Sequence, residues 1–207
     1  MTSRPSVNVR LANAADQPAL ARVLGRAFDD DPVMNFVISG RPVGPRAAVL
    51  LGLFAQMHLD DESVYVAEDV ETGEILGGAV WAPPGHWRVP VLQYVKHFRT
   101  LLKAVGIRSV TKINVLNAME KNHPKEHHYY LAVIGTDPDH QGRGVGTALM
   151  QPVLDRCNDE GMPAYLESSK ESNVGYYSRF RFDVTAPFTL RGGPTMYFMW
   201  RDPQVPD

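Results

Sequence analysis

The stretch YYLAVIGTDPDHQGRGVGTAL, residues 129–149, has the pattern of a strand, a turn, a glycine-rich loop and the start of a helix. Residues 129–136 are apolar on both faces, which is typical of a strand covered on both sides of a sheet. Three glycines within residues 141–146 then lead into a helical pattern. Because unpaired backbone N–H groups and the positive end of a helix dipole meet at such a loop, the stretch predicts a site for an anion such as phosphate.

The spacing of the loop separates three nucleotide-binding patterns. A Walker A loop requires a lysine after its last glycine, and this loop has none. A Rossmann fingerprint requires GxGxxG directly after the strand, whereas here Thr147 takes the third glycine position and five residues precede the first glycine. Glu167 follows at about the distance expected of a ribose-binding acid, so a dinucleotide site stays open as an alternative. The third pattern, [Q/R]xxGx[G/A], fits Gln141 to Gly146 without a gap.

The composition predicts an ordinary globular chain with one domain over residues 1–207. The net charge of −2 and the hydrophobic content of 44% favour small-molecule partners over nucleic acid or a membrane surface. No signal-peptide pattern or apolar run of transmembrane length is found, so we expect a cytoplasmic protein. Cys157 is the single cysteine, which excludes an internal disulfide, and its alignment with apolar helix residues predicts core packing.

The remaining pattern predicts an α/β (α+β) fold, in which a mixed sheet is flanked by helices. Strands are expected at residues 7–11, 64–68, 75–82, 129–136 and 164–168, and a terminal hairpin at residues 182–190 and 195–200. The strands at 129–136 and 164–168 enclose a helix and should be parallel. Residues 29–31, three aspartates before Pro32, fit either a charged helix exit or an acidic wall for a cationic substrate.

Residues 86–123 predict a helical insertion between the third and fourth strands. Its apolar stripe is expected to pack in the core; the stripe comprises Val91, Leu92, Tyr94, Val95, Phe98, Leu101, Leu102 and Val105. No acidic residue occurs between Glu74 and Glu120, whereas basic residues recur at Arg88, Lys96, Arg99, Lys103, Arg108 and Lys112. This basic face fits a solvated surface, a site for an acidic substrate or a dimer surface. The inserted position also makes the segment a candidate substrate lid.

Three motifs together resemble the GNAT acetyltransferase superfamily, nearest to its puromycin-acetyltransferase-like branch. They are HYYLAVIGTDPDHQGRGVGTALMQPVL at residues 128–154, AYLESS at 164–169 and NVGYYSRFRF at 173–182. The resemblance implies a centrally splayed sheet and acetyl-CoA, or another acyl-CoA, as the acyl donor. No metal is expected, because no ligand pattern for one is found. The resemblance also implies a set of cofactor-binding residues: Ala132, Val133 and Ile134 along the pantetheine arm, Gln141, Gly142, Arg143, Gly144, Val145, Gly146 and Thr147 at the pyrophosphate, and Asn173.

The resemblance further implies direct attack by a primary amine on the thioester in a ternary complex. An amine with a lysine-like pKa of about 10 is mostly protonated at neutral pH, so a base must remove its proton. Tyr177 matches the family's tyrosine and is the expected general acid for the departing thiolate. His127 and Glu68 are the expected candidates for the base, and Glu167 is a third. A backbone N–H near Val133 would stabilise the oxyanion.

Several points stay open from the sequence. Arg181 stands where the family usually has the glycine that ends the helix in a left-handed conformation. His123, His127 and His128 cluster in sequence but lack the spacing of a metal site. A non-catalytic acyl-CoA sensor is the main alternative to an enzyme. The acceptor is expected to be a small-molecule amine, and the chain a monomer or homodimer.

Overall fold

The computed structural model describes residues 6–38, 40, 42–106 and 119–204. Seven strands form one sheet in the order β1-β2-β3-β4-β5-β7-β6. Their bounds are β1 (Val7–Leu11), β2 (Val64–Asp69), β3 (Ile75–Ala82), β4 (Tyr129–Thr136), β5 (Ala164–Ser168), β6 (Asp183–Thr189) and β7 (Thr195–Arg201). Among the pairings of these described strands, only that of β4 with β5 is parallel. The predicted mixed sheet flanked by helices is confirmed.

Seven α-helices are fully bounded within the described residues. They are α1 (Gln17–Ala27), α2 (Pro32–Val37), α3 (Gly44–Met57), α4 (Val91–Lys96), α5 (Phe98–Val105), α6 (Val145–Asp159) and α7 (Val174–Ser178). The helix α6 is the crossover between the parallel strands, and it continues through Pro152. Both α4 and α5 lie between β3 and β4, where the sequence predicted a helical insertion, and residues 119–122 are helical as well.

Helices cover both faces of the sheet because apolar residues occupy both sides of the central strands. On β2, Val66 packs with α1 and α3, whereas its neighbour Ala67 packs with α6 on the other face. The face that α1 and α3 cover continues beyond these helices, where a separate hydrophobic cluster packs against the sheet. Ala82 follows Val80 by two residues on β3 and joins Tyr130 and Tyr165 in this cluster. The two faces therefore present different surroundings to the middle of the sheet.

The insertion is helical as predicted, but its apolar stripe is not in the core. Val91 and Leu92 are each 76% exposed and Phe98 is 60% exposed, while Ala104 is the buried residue of α5. The prediction of core packing is wrong here because helical periodicity identifies the residues that share a face, and not whether another element covers that face. Arg108 and Lys112, assigned to the basic face, lie outside the described residues.

Candidate active site

The strands β4 and β5 separate in the middle of the sheet. Residues 129–131 pair with residues 164–166, and the pairing ends there. At the same point the register between β4 and β3 skips Ala132, which is a β-bulge. A bulge bends its strand and leaves the extra residue outside the ladder. The strand β4 therefore turns away from β5 at Ala132, and the sheet opens.

The opening contains a cavity of about 100 Å³. Its lining comes from the diverging strands, from the end of α1 and the turn after it, and from α7 and the residues before it. Six lining residues matter below: Asp31, Ala132, Val133, Glu167, Asn173 and Tyr177. Asn173 opens α7 without a side-chain capping bond, so its amide is available to the cavity. The structure thus brings together the strand residues, Asn173 and Tyr177 that the resemblance assigned to the site.

The glycine-rich loop presents its backbone to open space. Gly142 and Gly144 have φ angles of 72° and 89°, a left-handed conformation that favours glycine, and a Cβ on either would meet no atom within 4 Å. The helix α6 begins at Val145, so the first N–H groups of the helix have no carbonyl one turn earlier. The Gln141 amide donates to the Thr136 carbonyl at 3.4 Å and ties the loop to β4. This geometry suits a diphosphate.

Gly146 is needed for the packing of two helices. A Cβ at this position would lie 2.7 Å from the hydroxyl oxygen of Tyr176, which is far too close. Gly146 therefore lets α6 approach α7, next to the residue that precedes Tyr177. This contact between α6 and α7 connects the glycine-rich loop with the helix that carries Tyr177 to the cavity.

Tyr177 is buried, at 7% exposure, and packs in the cluster around α6. Burial raises the pKa of Tyr177 well above its ordinary value, so its hydroxyl holds a proton at neutral pH. The chain after α7 keeps the left-handed turn that a glycine usually supplies, since Arg181 has a φ of 68°. The Phe182 N–H donates to the Tyr177 carbonyl at 3.3 Å, and the Arg181 N–H to the Ser178 carbonyl at 3.0 Å. These bonds form a Schellman motif. The helix end is therefore intact although Arg181 stands where the family usually has glycine.

A buried polar cluster lies on the sheet face opposite to Tyr177. The carboxylate of Glu167 accepts hydrogen bonds from the hydroxyls of Tyr130 at 2.9 Å and Tyr165 at 3.1 Å. His123 Nδ1 lies 4.0 Å from Glu167 Oε1, and the Nε2 atoms of His123 and His128 are 3.1 Å apart. Burial raises the pKa of Glu167 to about 7, although both tyrosine hydroxyls act to lower it. Burial also lowers the pKa of His123 to about 3.

The sequence profile of the Acetyltransferase (GNAT) family matches residues 35–182. The chain belongs to the GNAT family. An uncharacterised N-acetyltransferase of Schizosaccharomyces pombe is 26% identical over 183 residues, covering 82% of this chain and 71% of that protein. The branch nearest to puromycin acetyltransferase stays a prediction.

Solved structures with the GNAT fold align over almost the full chain. A histone acetyltransferase HPA2 and related acetyltransferase from Corynebacterium glutamicum has a TM-score of 0.72 and 26% identity, covering 97% of this chain and 98% of that one. Arylalkylamine N-acetyltransferase 2 from Aedes aegypti has a TM-score of 0.68 and 15% identity, covering 96% and 100%. Drosophila melanogaster polyamine N-acetyltransferase, which forms N-acetylagmatine, has a TM-score of 0.67 and 16% identity, covering 95% and 100%.

The two candidate bases Glu68 and His127, expected from the sequence, lie away from the cavity. Glu68 is on β2, where its carboxylate accepts hydrogen bonds from Asn8 at 2.9 Å and Arg10 at 2.8 Å. These bonds lower the pKa of Glu68, which makes it a weaker base. His127 is exposed just before β4 and does not line the cavity. The geometry therefore does not support either as the base.

The acidic run after α1 has structural partners. Asp29 accepts from the Gly44 N–H at 2.6 Å, and Asp30 pairs with Lys170 at 2.6 Å. Asp31 caps α2 by accepting from the Met34 N–H at 2.8 Å, and it also accepts from the Ser169 hydroxyl. The first of the two interpretations, a charged helix exit, explains these contacts. The bonds to Ser169 and Lys170 hold the α1–α2 turn against the end of β5.

A dinucleotide site is poorly compatible with the structure, because the described sheet has one parallel pair and two tyrosines bind the acid at 167.

Within the described residues no group of three or more His, Cys, Asp or Glu side chains could hold a metal ion. Burial raises the pKa of Cys157 to about 12, in keeping with core packing. In the described part of the chain, no helix has the length and apolar character needed to span a membrane.

Sequence reasoning gave Glu167 less weight than the structure does. The motif AYLES places one acid among apolar strand residues, and strand alternation puts it on the same face as Tyr165. The sequence therefore contains a signal for Glu167. It contains none for the contacts of Tyr130 and His123 with Glu167, because these depend on the register of β4 against β5 and on the path of the insertion.

Proposed function

We propose that this protein transfers an acetyl group from acetyl-CoA to a primary amine of a small molecule, by direct attack in a ternary complex. The observation that carries the proposal is the opening between β4 and β5, where the bulged strand, Glu167 of β5 and the buried Tyr177 line one cavity. We infer that the donor and the acceptor would approach this opening from opposite faces of the sheet. Membership of the GNAT family supports acyl transfer as the reaction.

The residues of the donor side fit an acyl-CoA. Residues 141–147 would hold the diphosphate through backbone N–H groups, since Gly142 and Gly144 leave the loop surface open. Beyond residue 131, the edge of β4 that faces β5 has no strand partner, so residues 132–134 offer hydrogen bonds to the amides of a pantetheine arm. Asn173 supplies one more polar group. Acetyl-CoA would supply the acetyl group as a thioester that an amine can attack.

Two groups of the chain would assist the transfer. A backbone N–H at the bulge beside Val133 would donate to the carbonyl oxygen as negative charge develops on it. Tyr177 would donate its hydroxyl proton to the departing sulfur, because its raised pKa keeps the hydroxyl protonated at neutral pH. The proton of the amine must go to a base at the same cavity.

The small-molecule amine is supported by structural relatives of the same fold that act on arylalkylamines or agmatine. The position of the insertion also supports a role near the acceptor. The rings of Trp87 and His123, at its two ends, stack with centroids 3.7 Å apart, and Arg88 pairs with Glu120 at 3.1 Å. The ends of the insertion therefore meet beside Glu167, where a lid over the acceptor would be anchored.

The test is an acceptor screen with acetyl-CoA that measures release of free thiol. Arylalkylamines, polyamines, amino acids, aminonucleosides and a lysine peptide form the panel, and transfer to at least one small amine is expected. Thermal shift is the companion measurement, in which acetyl-CoA should raise the melting temperature and NAD should not. Tight acetyl-CoA binding without transfer to any amine would favour the sensor, and stabilisation by NAD alone would contradict the transferase.

A further inference from the structure

We propose that α4 and α5 form a docking surface for a membrane whose headgroups are anionic. The inference goes beyond the proposed acetyl transfer and does not depend on it. It follows from the apolar side chains that these two helices expose, from the basic side chains beside them, and from the way in which α5 is held against the body of the protein.

An apolar row, Val91, Val95 and Phe98, runs along the outer side of the two helices. The helices follow one another through His97, whose N–H donates one turn back at 3.0 Å and whose carbonyl accepts from one turn ahead at 2.9 Å. Helical spacing therefore continues from one helix into the other, and the three apolar residues share a face. They are 76%, 66% and 60% exposed. Large apolar side chains that share an exposed face indicate a surface that binds a partner.

A basic row, Lys96, Arg99 and Lys103, lies beside the apolar row. Its members follow the same helical spacing and are exposed. Among the ion pairs of the described residues, none involves a member of this row, whereas Arg88 pairs with Glu120. The three charges of the basic row are therefore available to anionic groups outside the protein.

The charge of the insertion differs in sign from that of the rest of the chain. Residues 75–119 contain six basic residues and no acidic one, although the chain has a net charge of −2. The rest of the chain consequently has a net charge of −8. An anionic surface would repel that part and attract the insertion, so the protein would approach such a surface with α4 and α5 in front. The overall composition, which favoured small-molecule partners, averages over this contrast.

The chemistry of the two rows favours a bilayer over another protein. Helices that lie in a membrane surface combine aliphatic and aromatic residues on one face with lysine and arginine beside them. The apolar side chains enter the acyl region while the basic side chains extend to the headgroup phosphates. Lysine is depleted at protein–protein interfaces, yet two of the three members of the basic row are lysines. A second copy of the chain is disfavoured, because a twofold contact across this face would bring two basic rows together.

The surface is formed before any docking takes place. Helix α5 packs against α3 through its opposite side, where Ala104 is buried. His97 and Thr100 also lie toward that side, in the wall of a groove that is lined mainly by α1 and α3. Because the helices are already folded and held, docking orders little additional chain. A small number of apolar and basic side chains can then give a reversible attachment.

The test is co-sedimentation of the full chain with vesicles, made either of phosphatidylcholine alone or of equal parts phosphatidylcholine and phosphatidylglycerol. Wild type should bind the anionic vesicles, dissociate from them at high salt, and fail to bind the neutral vesicles. The triple variant Lys96→Gln/Arg99→Gln/Lys103→Gln should bind the anionic vesicles on the order of a hundredfold more weakly, because each charge near the surface contributes to the attraction.

A matched control removes three exposed charges from other parts of the chain. It is Arg22→Gln/Lys125→Gln/Arg191→Gln, and its binding should stay within about threefold of wild type, because charges away from the surface are screened. Equal weakening in the two triple variants would overturn the inference, since attraction would then depend on total charge and not on the basic row.

The apolar row is tested by Val95→Ser/Phe98→Ser, which should weaken binding to the anionic vesicles at least about tenfold. Val70→Ser/Val184→Ser is its control. Val70 is 59% exposed in the turn between β2 and β3 and Val184 lies on β6, so this variant should bind as wild type does. Thermal melting of both variants shows whether the fold is retained. An equal loss in the control would contradict docking through the apolar row.

Phe98→Trp covers the possibility that the serine variant does not fold, because it retains a large apolar ring. Anionic vesicles with bromine on their acyl chains should quench its fluorescence more strongly than that of Val70→Trp, since only the first tryptophan would enter the acyl region. Equal quenching, absence of vesicle binding, or equal binding to neutral vesicles would overturn the inference. Self-association of wild type without vesicle binding, abolished in Val95→Ser/Phe98→Ser, would overturn it by assigning the face to a second copy.

Discussion

The proposed donor and acceptor sides of the site differ in composition. The donor side is mainly backbone: the N–H groups of residues 141–147 and the open edge of β4, which belong to one continuous stretch of chain. The proposed acceptor side is made of side chains from three separate segments: Glu167 with Tyr165, Tyr130, and His123. A backbone site binds the constant part of a cofactor, whereas side chains set proton transfer and selectivity. Each side should therefore respond to substitution in its own measurement.

The largest expected effect is on turnover at the point where the two sides meet. Tyr177→Phe should lower kcat by about 10²-fold or more while changing the Kd of acetyl-CoA by less than about twofold, because it removes a proton donor and leaves the packing in place. Stopped assays of thiol release and calorimetric binding would measure the two quantities.

Tyr176→Phe is the control for this change. It removes the neighbouring hydroxyl, which does not line the cavity, and should leave kcat within about twofold of wild type. Equal losses in the two variants would show that Tyr177 acts through packing and not as an acid.

The second effect concerns stability on the acceptor side. The folded pKa of Glu167, about 7, lies above the ordinary value of 4.5, so wild type loses stability as pH rises from about 4.5 to 7 and keeps that deficit above pH 7. At about 1.4 kcal/mol for each pKa unit, Glu167→Gln should be more stable than wild type at pH 8 by on the order of 3 kcal/mol, and equally stable near pH 4.5.

Denaturant unfolding of both proteins between pH 4.5 and 8 tests this. The lowered pKa of His123 acts in the opposite direction, since stability is lost below pH 6.5 as that histidine must be protonated. That loss affects both proteins, so the difference between them isolates Glu167. A difference that does not change with pH would contradict the raised pKa.

The donor side should show a smaller effect, on affinity. Gly144→Ala places a Cβ on a residue with φ of 89°, which costs about 1 kcal/mol. The loop is exposed and can relax from that strain when free, but binding must restore it. The Kd of acetyl-CoA should therefore rise about fivefold. Gly192→Ala, at φ of 69° in the turn between β6 and β7, is the control and should lower stability without changing the Kd.

This contrast also explains how much could be predicted from the sequence. The donor side was predictable because its residues are consecutive and its glycines have a backbone reason to be there, as at Gly142 and Gly144. The bounds of β1, β3, β4 and β5 agree with those expected from hydrophobic pattern and turn residues. The separation of the two central strands was expected from the resemblance to the family motifs.

The acceptor side was not predictable in the same way. Tyr130 and Tyr165 meet because β4 and β5 pair in one particular parallel register, and periodicity does not specify register between distant strands. Glu68 looked as suitable as Glu167 in sequence, since both are acids in strands, and only the fold places one beside Arg10 and the other in the cavity. The exposed stripe on α4 has the same cause: a pattern identifies a face and not its neighbour.

The smallest expected effect is at the helix end that positions Tyr177. The helix α6 ends in the same Schellman motif as α7, with the Met162 N–H donating to the Cys157 carbonyl at 2.8 Å and Gly161 in the left-handed position at φ of 60°. Arg181 occupies that position after α7. Arg181→Gly should thus raise the free energy of unfolding by up to about 1 kcal/mol, reduced by the greater freedom of glycine in the unfolded chain.

Gly161→Arg is the matched reverse change and should lower the free energy of unfolding by a similar amount, because a Cβ at Gly161 meets no atom within 4 Å and only the backbone strain remains. Neither change touches the cavity lining, so kcat should stay within about twofold in both. If Arg181→Gly instead lowered stability or kcat, the Arg181 side chain would be making a contribution that outweighs its backbone strain. The arginine would then belong with the acceptor side, where side chains matter, and not with the backbone framework that supports Tyr177.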